Sequence, residues 1–281
     1  YTSPYYLGRK VVAVNLSDIA AMGGIARFAL LSLAFPGGLS RDFFNEFIRG
    51  MKSICSEQKV ILVGGNTSSS RSGIFVSLTI LGEAEVTVHR CGARDGDSIF
   101  VTGTLGDSAL GLEIAKKARD PSLTKLKDME RYLALRHLNP TPRLNEGRAL
   151  ASRKIASSMI DSSDGLLSDL GHIVEESCLG ARVFAETLPM SRALCSLAPA
   201  WRKDPIGLAL SGGEDYELIF TASKKDVRRN LANVKMETRV TEIGVMDSSV
   251  KGIKITLDGR PYKAAFRGYE HFRMKGRVKH R

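Results

Sequence analysis

The sequence lacks most of the patterns that mark common enzyme classes. Its 281 residues contain neither a G-x-x-x-x-G-K-[ST] loop nor a G-x-G-x-x-G fingerprint, which removes the P-loop and dinucleotide-binding readings. No G-x-S-x-G elbow is present, so a serine hydrolase of that type is excluded. The five histidines show no H-E-x-x-H or other metal-ligand spacing and read as core or surface residues. Cys55, Cys91, Cys178 and Cys195 form no C-x-x-C pair, which argues against zinc or a disulfide framework and fits a cytoplasmic protein. No apolar run is long enough to span a bilayer, so no membrane association is expected. The formal charge of +11 comes without an aromatic-rich basic motif, so nucleic acid is not an expected partner, whereas small phosphorylated molecules suit such a surface. Much of that charge lies in Arg260, Lys263, Arg267, Arg273, Lys275, Arg277, Lys279 and Arg281, and the stretch after Phe272 reads as a solvated tail. The chain starts at Tyr1, and no basic-then-apolar signal segment follows.

What is present is an ordinary globular composition, 43% hydrophobic and 25% charged, at a length that suits two domains. Ser3-Pro4 is a helix start and Gly23-Gly24 its stop. Between them Leu7, Val11, Val14 and Met22 recur at helical spacing, which puts Asn15 and Asp18 on or beside the apolar stripe. Strands are expected at 28–35, 60–63 (ended by Gly64-Gly65), 74–81 and 85–90, with a helix at 41–56. A polar, glycine-bearing segment at 92–97 divides a unit of residues 1–92 from one of residues 93–281. The second unit reads as strand 98–102, helices from 108, before 137 and over 143–152, strand 157–160, and a helix burying Leu166, Leu170, Ile173 and Val174. It closes with strands at 207–210 and 216–221 about a turn. Mixed strands and helices at this spacing give an α/β or α+β fold.

The chemistry concentrates in acids beside glycine-rich turns. Asp161-Ser162-Ser163-Asp164-Gly165 places two carboxylates where a strand meets a helix, which suits Mg²⁺ or, equally, an Asx-turn with Asp164 as the helix cap. Gly64-Gly65-Asn66-Thr67-Ser68 and the segment 103–108 are either phosphate-approaching backbone or simple turns. Glu214, Asp215 and Glu217 crowd a third turn between apolar segments.

Taken in order, VNLSDIAAMGG (14–24), VGGNTSSSRSG (63–73), RCGARDGDSIFVTGTLGDSALGL (90–112), RHLNPTPR (136–143), IDSSDGLLSDLGHI (160–173), LSGGEDYEL (210–218) and GYEHF (268–272) resemble the thiamine-monophosphate kinase branch of the aminoimidazole-ribonucleotide-synthetase-like superfamily. The resemblance implies a two-domain architecture with mixed sheets flanked by helices. It also implies a homodimer and direct phosphoryl transfer from ATP to thiamine monophosphate with Mg²⁺. It assigns Asp18, Asp161, Asp164 and Asn66 to the metal, Gly65, Asn66, Arg90 and Ser163 to the nucleotide, and Glu214 and Tyr269 to the substrate. No side chain is assigned as a catalytic acid or base, because the acceptor is an ionised phosphate. Alternatives are another ATP-using synthetase of the superfamily, or a non-catalytic protein binding nucleotide or thiamine phosphate. The family usually has Asp where this chain has Asn66. Relatives also carry about sixty residues upstream, with a Gly-Asp-Asp metal motif, so the chain reads as N-terminally truncated and is expected to be a poor kinase as it stands.

Overall fold

The computed structural model describes residues 1–230, 236 and 238–263. The first helix, α1 (Pro4–Ala21), starts as the sequence dictates. Ser3 accepts the Tyr6 N–H at 3.2 Å, and Pro4 occupies the first turn, where its missing N–H costs nothing. Its buried face is Gly8, Val12, Leu16 and Ala20, with Ala13, Ser17 and Ala21 beside them. This stripe lies one position away from the expected one, so Met22 and Asp18 are exposed on its flank rather than pointed into a core. α2 (Arg41–Glu57) crosses α1 at contact distance. Glycine is required there on both sides, because a Cβ on Gly8 would sit 2.0 Å from the Phe47 carbonyl and one on Gly50 2.0 Å from that of Tyr5.

Both helices cover one face of a three-stranded sheet of order β2-β1-β3, formed by β1 (Ile25–Pro36), β2 (Ile61–Ser70) and β3 (Phe75–Glu83). Alternation along β1 buries Ala29, Leu31 and Leu33 against Phe47, Met51 and Ile54. β2 pairs parallel with β1 and β3 antiparallel. The expected end of β2 at Gly64-Gly65 is corrected, since the strand runs on to Ser70 with Asn66 opposite Ser32. Gly65 has φ +155°, and a Cβ there would lie 1.8 Å from the Leu31 carbonyl, so this glycine permits close strand approach. Residues 85–90 are not a strand. They are held by Val88 N–H to the Met22 carbonyl and by Met159 N–H to the His89 carbonyl.

The second sheet has seven strands in the order β10-β9-β6-β8-β4-β7-β5. These are β4 (Ser98–Thr102), β5 (Ser158–Asp161), β6 (Gly180–Phe184), β7 (Leu218–Ala222), β8 (Val240–Asp247), β9 (Ile253–Leu257) and β10 (Arg260–Pro261). Among its described strands only the β6–β9 pair is parallel. Helices α3 (Asp107–Ala118), α4 (Asp128–Leu138), α5 (Leu144–Ser152), α6 (Leu166–Glu176), α7 (Arg192–Leu197), α8 (Pro205–Ser211) and α9 (Lys224–Asn230), with two short 3-10 turns at Ala185–Thr187 and Pro199–Trp201, complete the described elements. One core joins Ile99, Val101, Ile219 and Ile243 to Leu170 and Ile173 of α6. The other stacks Phe100 on Phe220, with centroids 5.2 Å apart, and takes in Leu150 of α5 and Ala20 of α1. α1 therefore packs against both sheets.

The expected strand at 207–210 is a helix. Asp204 accepts the Ile206 and Gly207 N–H groups and Pro205 opens the turn, so a cap-plus-proline start overrides the apolar run that had read as extended. β7 accordingly begins at Leu218 rather than 216.

Candidate active site

The carboxyl end of β5 is the point where both sheets' helices meet. Asp161, its last residue, is 4% exposed, and Oδ2 accepts the hydroxyl of buried Ser17 from α1 at 2.6 Å. Beyond it the loop 162–165 enters α6 through Gly165 at φ +110°. Asp164 does not cap that helix. Asp169, four residues past Gly165, accepts the N–H groups of Asp164 at 3.1 Å and Gly165 at 3.0 Å, which leaves the Asp164 carboxylate free of the capping role. A second loop, 212–217, is laced to the first. Glu214 N–H donates to the Ser163 carbonyl, Tyr216 N–H to the Ser162 carbonyl, and Ser162 N–H to the Glu217 carbonyl, at 2.7–2.9 Å.

Four aspartates thus share one small region, and their electrostatics show it. Burial pushes the Asp161 carboxyl up to about 6; the nearby Asp18 charge adds to this, while the Ser17 hydroxyl and Arg90 oppose it. Burial, then the charges of Asp161 and Asp164, push Asp169 up to about 7. Asp18 is also raised, by crowding of the surrounding protein, with Arg90 opposing. Tyr216 is raised beyond the ordinary phenol range, first by burial and then by Glu214, Asp161, Asp18 and Asp164. Ser162 Oγ is buried and finds no partner among the described residues. Carboxylates crowded in this way are stabilised by a cation, and their hard oxygens, with a spare hydroxyl beside them, would fit a magnesium ion. Among the described residues no three acidic, histidine or cysteine side chains form a closed metal cage, so such an ion would draw its remaining ligands from phosphate and water.

The other acids of the second loop are engaged elsewhere. Asp215 accepts the N–H groups of Gly106 at 2.5 Å and Ser108 at 2.9 Å, capping α3. Those amides are therefore not available to phosphate, and the segment 103–108 is a structural turn. Glu217 is fully buried and accepts from Thr102 Oγ1, Arg136 Nη2, and Arg143 Nε and Nη2 at 2.6–2.9 Å. Glu214 differs from both. Its side chain is 44% exposed and ion-paired with Lys10.

The family model described as "AIR synthase related protein, N-terminal domain" matches residues 1–84, and its C-terminal counterpart matches residues 94–255. A curated thiamine-monophosphate kinase of Escherichia coli (strain K12) is 39% identical over 274 residues, covering 96% of this chain and 81% of that protein. One from Aquifex aeolicus is 37% identical over 269 residues, covering 96% and 82%. The chain belongs to the thiamine-monophosphate kinase family. A solved structure described as AaThiL complexed with AMPPCP and TMP superposes with a TM-score of 0.84 at 37% identity, covering 96% of this chain and 81% of that one. The mixed-sheet, two-domain α/β architecture of the AIR synthase related family is thus the fold of this chain.

Of the residues the family resemblance singles out, Asp18, Asp161 and Arg90 act on one another electrostatically, Asp161 and Asp164 both act on Asp169, and Ser163 and Glu214 are joined through the backbone of the two loops. Gly65 and Asn66 stand apart, on exposed strand β2 of the other sheet. Tyr269 lies outside the described residues. Sequence reasoning missed Asp169 and Tyr216. The spacing of Asp169, four residues after the glycine that opens α6, was the available signal, since one helical turn returns its carboxylate to the loop amides.

Proposed function

We propose that this chain transfers the γ-phosphoryl group of ATP directly to thiamine monophosphate, giving thiamine diphosphate and ADP. The observation that carries the reading is the gathering of Asp18, Asp161, Asp164 and Asp169 at the end of β5, where the carboxyl pKa values of Asp18, Asp161 and Asp169 are raised and the Arg90 charge acts on Asp18 and Asp161. Asp18, Asp161 and Asp164 would hold Mg²⁺, whereas Asn66, which stands apart from them within this chain, is assigned to that ion by the family resemblance alone. When bound, that ion neutralises the phosphate oxygens of donor and acceptor, which otherwise repel. Arg90 pairs with nucleotide phosphate, and Ser163, Gly65 and Asn66 complete the nucleotide contacts. Glu214 would contact the thiamine, and the family resemblance assigns Tyr269 to it as well. Asp169 holds the loop that presents Asp161 and Asp164. Because the acceptor phosphate is already ionised, the chain's contribution is alignment and charge balance rather than proton abstraction.

The same reading divides the chain at 92/93, sets the reaction in a reducing cytoplasm that suits four free cysteines, and makes the working form a homodimer. Phe28 stands in register between Ile61 and Leu81 on the outer face of the β2-β1-β3 sheet, and all three are exposed, an apolar row suited to burial against a second copy. The test incubates the chain with ATP, Mg²⁺ and thiamine monophosphate and separates the products. Equal amounts of ADP and thiamine diphosphate are expected; ADP without thiamine diphosphate would overturn the assignment.

A further inference from the structure

Lys10 lies on α1, two turns before Asp18, and its ammonium reaches out of that helix to Glu214 Oε2 and to His137 Nε2, the latter at 3.2 Å. An ammonium has protons to give and no lone pair, so Nε2 must accept and the imidazole proton must sit on Nδ1. Nδ1 lies 3.0 Å from Ser108 Oγ and 3.4 Å from Glu214 Oε2. His137 is buried in the last turn of α4, and Ser108 is buried in the first turn of α3, so the ring cannot swing away. Burial, followed by the Lys10 charge, depresses the imidazole pKa to about 4 and keeps it the neutral acceptor this geometry needs. Glu214 itself sits at φ +66°, a strained left-handed backbone for a non-glycine residue. One of its oxygens is thus fixed, whereas Oε1 accepts no hydrogen bond among the described residues and the side chain is half exposed.

We infer that Lys10, steered by His137, is a positioning residue that neutralises and aims the Glu214 carboxylate, so that Glu214 meets the substrate as a hydrogen-bond acceptor and not as a counter-charge. The inference rests on the reading of Glu214 as a thiamine contact. A carboxylate whose charge is cancelled at contact distance projects little field onto a cationic ring, yet its free lone pairs still receive an N–H from the amino-substituted ring. The pair also gives a task to His137 of the RHLNPTPR motif, which the phosphate chemistry leaves unused.

The test measures thiamine monophosphate affinity by calorimetry, with AMPPCP and Mg²⁺ present, together with steady-state kinetics on the whole chain. Lys10→Met is expected to raise the Kd and KM for thiamine monophosphate about tenfold, equivalent to one lost, well-placed hydrogen bond, with kcat and the KM for ATP near wild type. Lys10→Arg, which keeps the cation, should recover most of that loss. In a Glu214→Gln background, Lys10→Met should add no further loss. Tighter thiamine monophosphate binding in Lys10→Met would mean that Glu214 acts as a counter-charge, and would overturn the inference. A lowered Tm and kcat with unchanged KM would reduce Lys10 to a structural role and overturn it as well. A wild-type chain that binds AMPPCP but not thiamine monophosphate would instead defeat the proposed function, and this inference with it.

Discussion

Two clusters of acid lie side by side, joined where the Ser162 N–H donates to the Glu217 carbonyl, and behave in opposite ways. Around Glu217 the negative charge is met inside the chain: Arg136 and Arg143 clamp one carboxylate, and Thr102 fills a further acceptor position. Arg136 also faces Asp107, which is hydrogen-bonded to Thr104, Tyr132 and Ser191. At the end of β5, by contrast, four aspartates have a hydroxyl, two backbone amides and the Arg90 charge between them. A buried charge closed by internal partners holds a fold together, whereas one left short of cation is a receptor for one. The family motifs contain both kinds, and residue type alone does not separate them.

Glu217→Ala leaves two guanidinium groups buried without their partner and is expected to cost about 3–5 kcal/mol in urea unfolding, unrelieved by Mg²⁺ and nucleotide. A loss below about 1 kcal/mol would show that Arg136 and Arg143 find other acceptors.

Asp161→Asn should do the reverse. It keeps an acceptor for Ser17 but removes a charge the metal-free protein holds at a disadvantage, so the chain measured in EDTA is expected to gain on the order of 1 kcal/mol. Destabilisation comparable to that of Glu217→Ala would place Asp161 among the structural acids.

The pH dependence sharpens the same contrast. Asp161, Asp169 and Asp215 bind their protons more tightly folded than unfolded, whereas His137 binds its proton less tightly. Between about pH 5 and pH 6.5 the three acids outweigh the one histidine, so the folded chain carries more protons and its stability falls as pH rises. Above that, the two carboxyls near 7 continue the decline. Thermal unfolding in EDTA should therefore show Tm decreasing from about pH 5 to about pH 7.5. A Tm that climbs over this range would contradict the charge assignment.

Smaller effects are expected at the rim. Asp18→Ala should weaken Mg²⁺ binding in the presence of AMPPCP, and Asp18→Asn less so, because an amide oxygen keeps the ligand geometry without the charge. In a chain carrying the family's upstream segment, Asn66→Asp should preserve activity and shift the Mg²⁺ dependence to modestly lower concentration. An unchanged Mg²⁺ titration in all three variants would take Asp18 and Asn66 out of the ion's reach.

Much of the fold was legible because local signals agreed with the final packing. Ser3-Pro4 set the start of α1, and the apolar run 98–102 was bounded correctly as β4. The signals failed where tertiary partners decided. Gly64-Gly65 read as a stop, yet β1 supplies a parallel neighbour that carries β2 through it. The run 207–210 read as a strand until Asp204 and Pro205 fixed a helix start. At the site, Asp161 and Asp164 were legible from a strand meeting a glycine turn. The division of labour among Glu214, Asp215 and Glu217 was not, because it depends on Lys10, Ser108, Arg136 and Arg143, which arrive from distant helices and turns. Sequence spacing carries the periodicity of one element; it does not carry which charges another element brings.

On the proposed function, the aspartates at the end of β5 bind a cation brought with phosphate. The direct measurement is a Mg²⁺ titration of AMPPCP binding, followed by calorimetry, for the wild-type chain and Asp161→Asn side by side. Saturable, Mg²⁺-dependent AMPPCP binding in the wild type, lost in a folded Asp161→Asn chain, is the predicted result. Equal Mg²⁺-dependent binding in both would contradict the account.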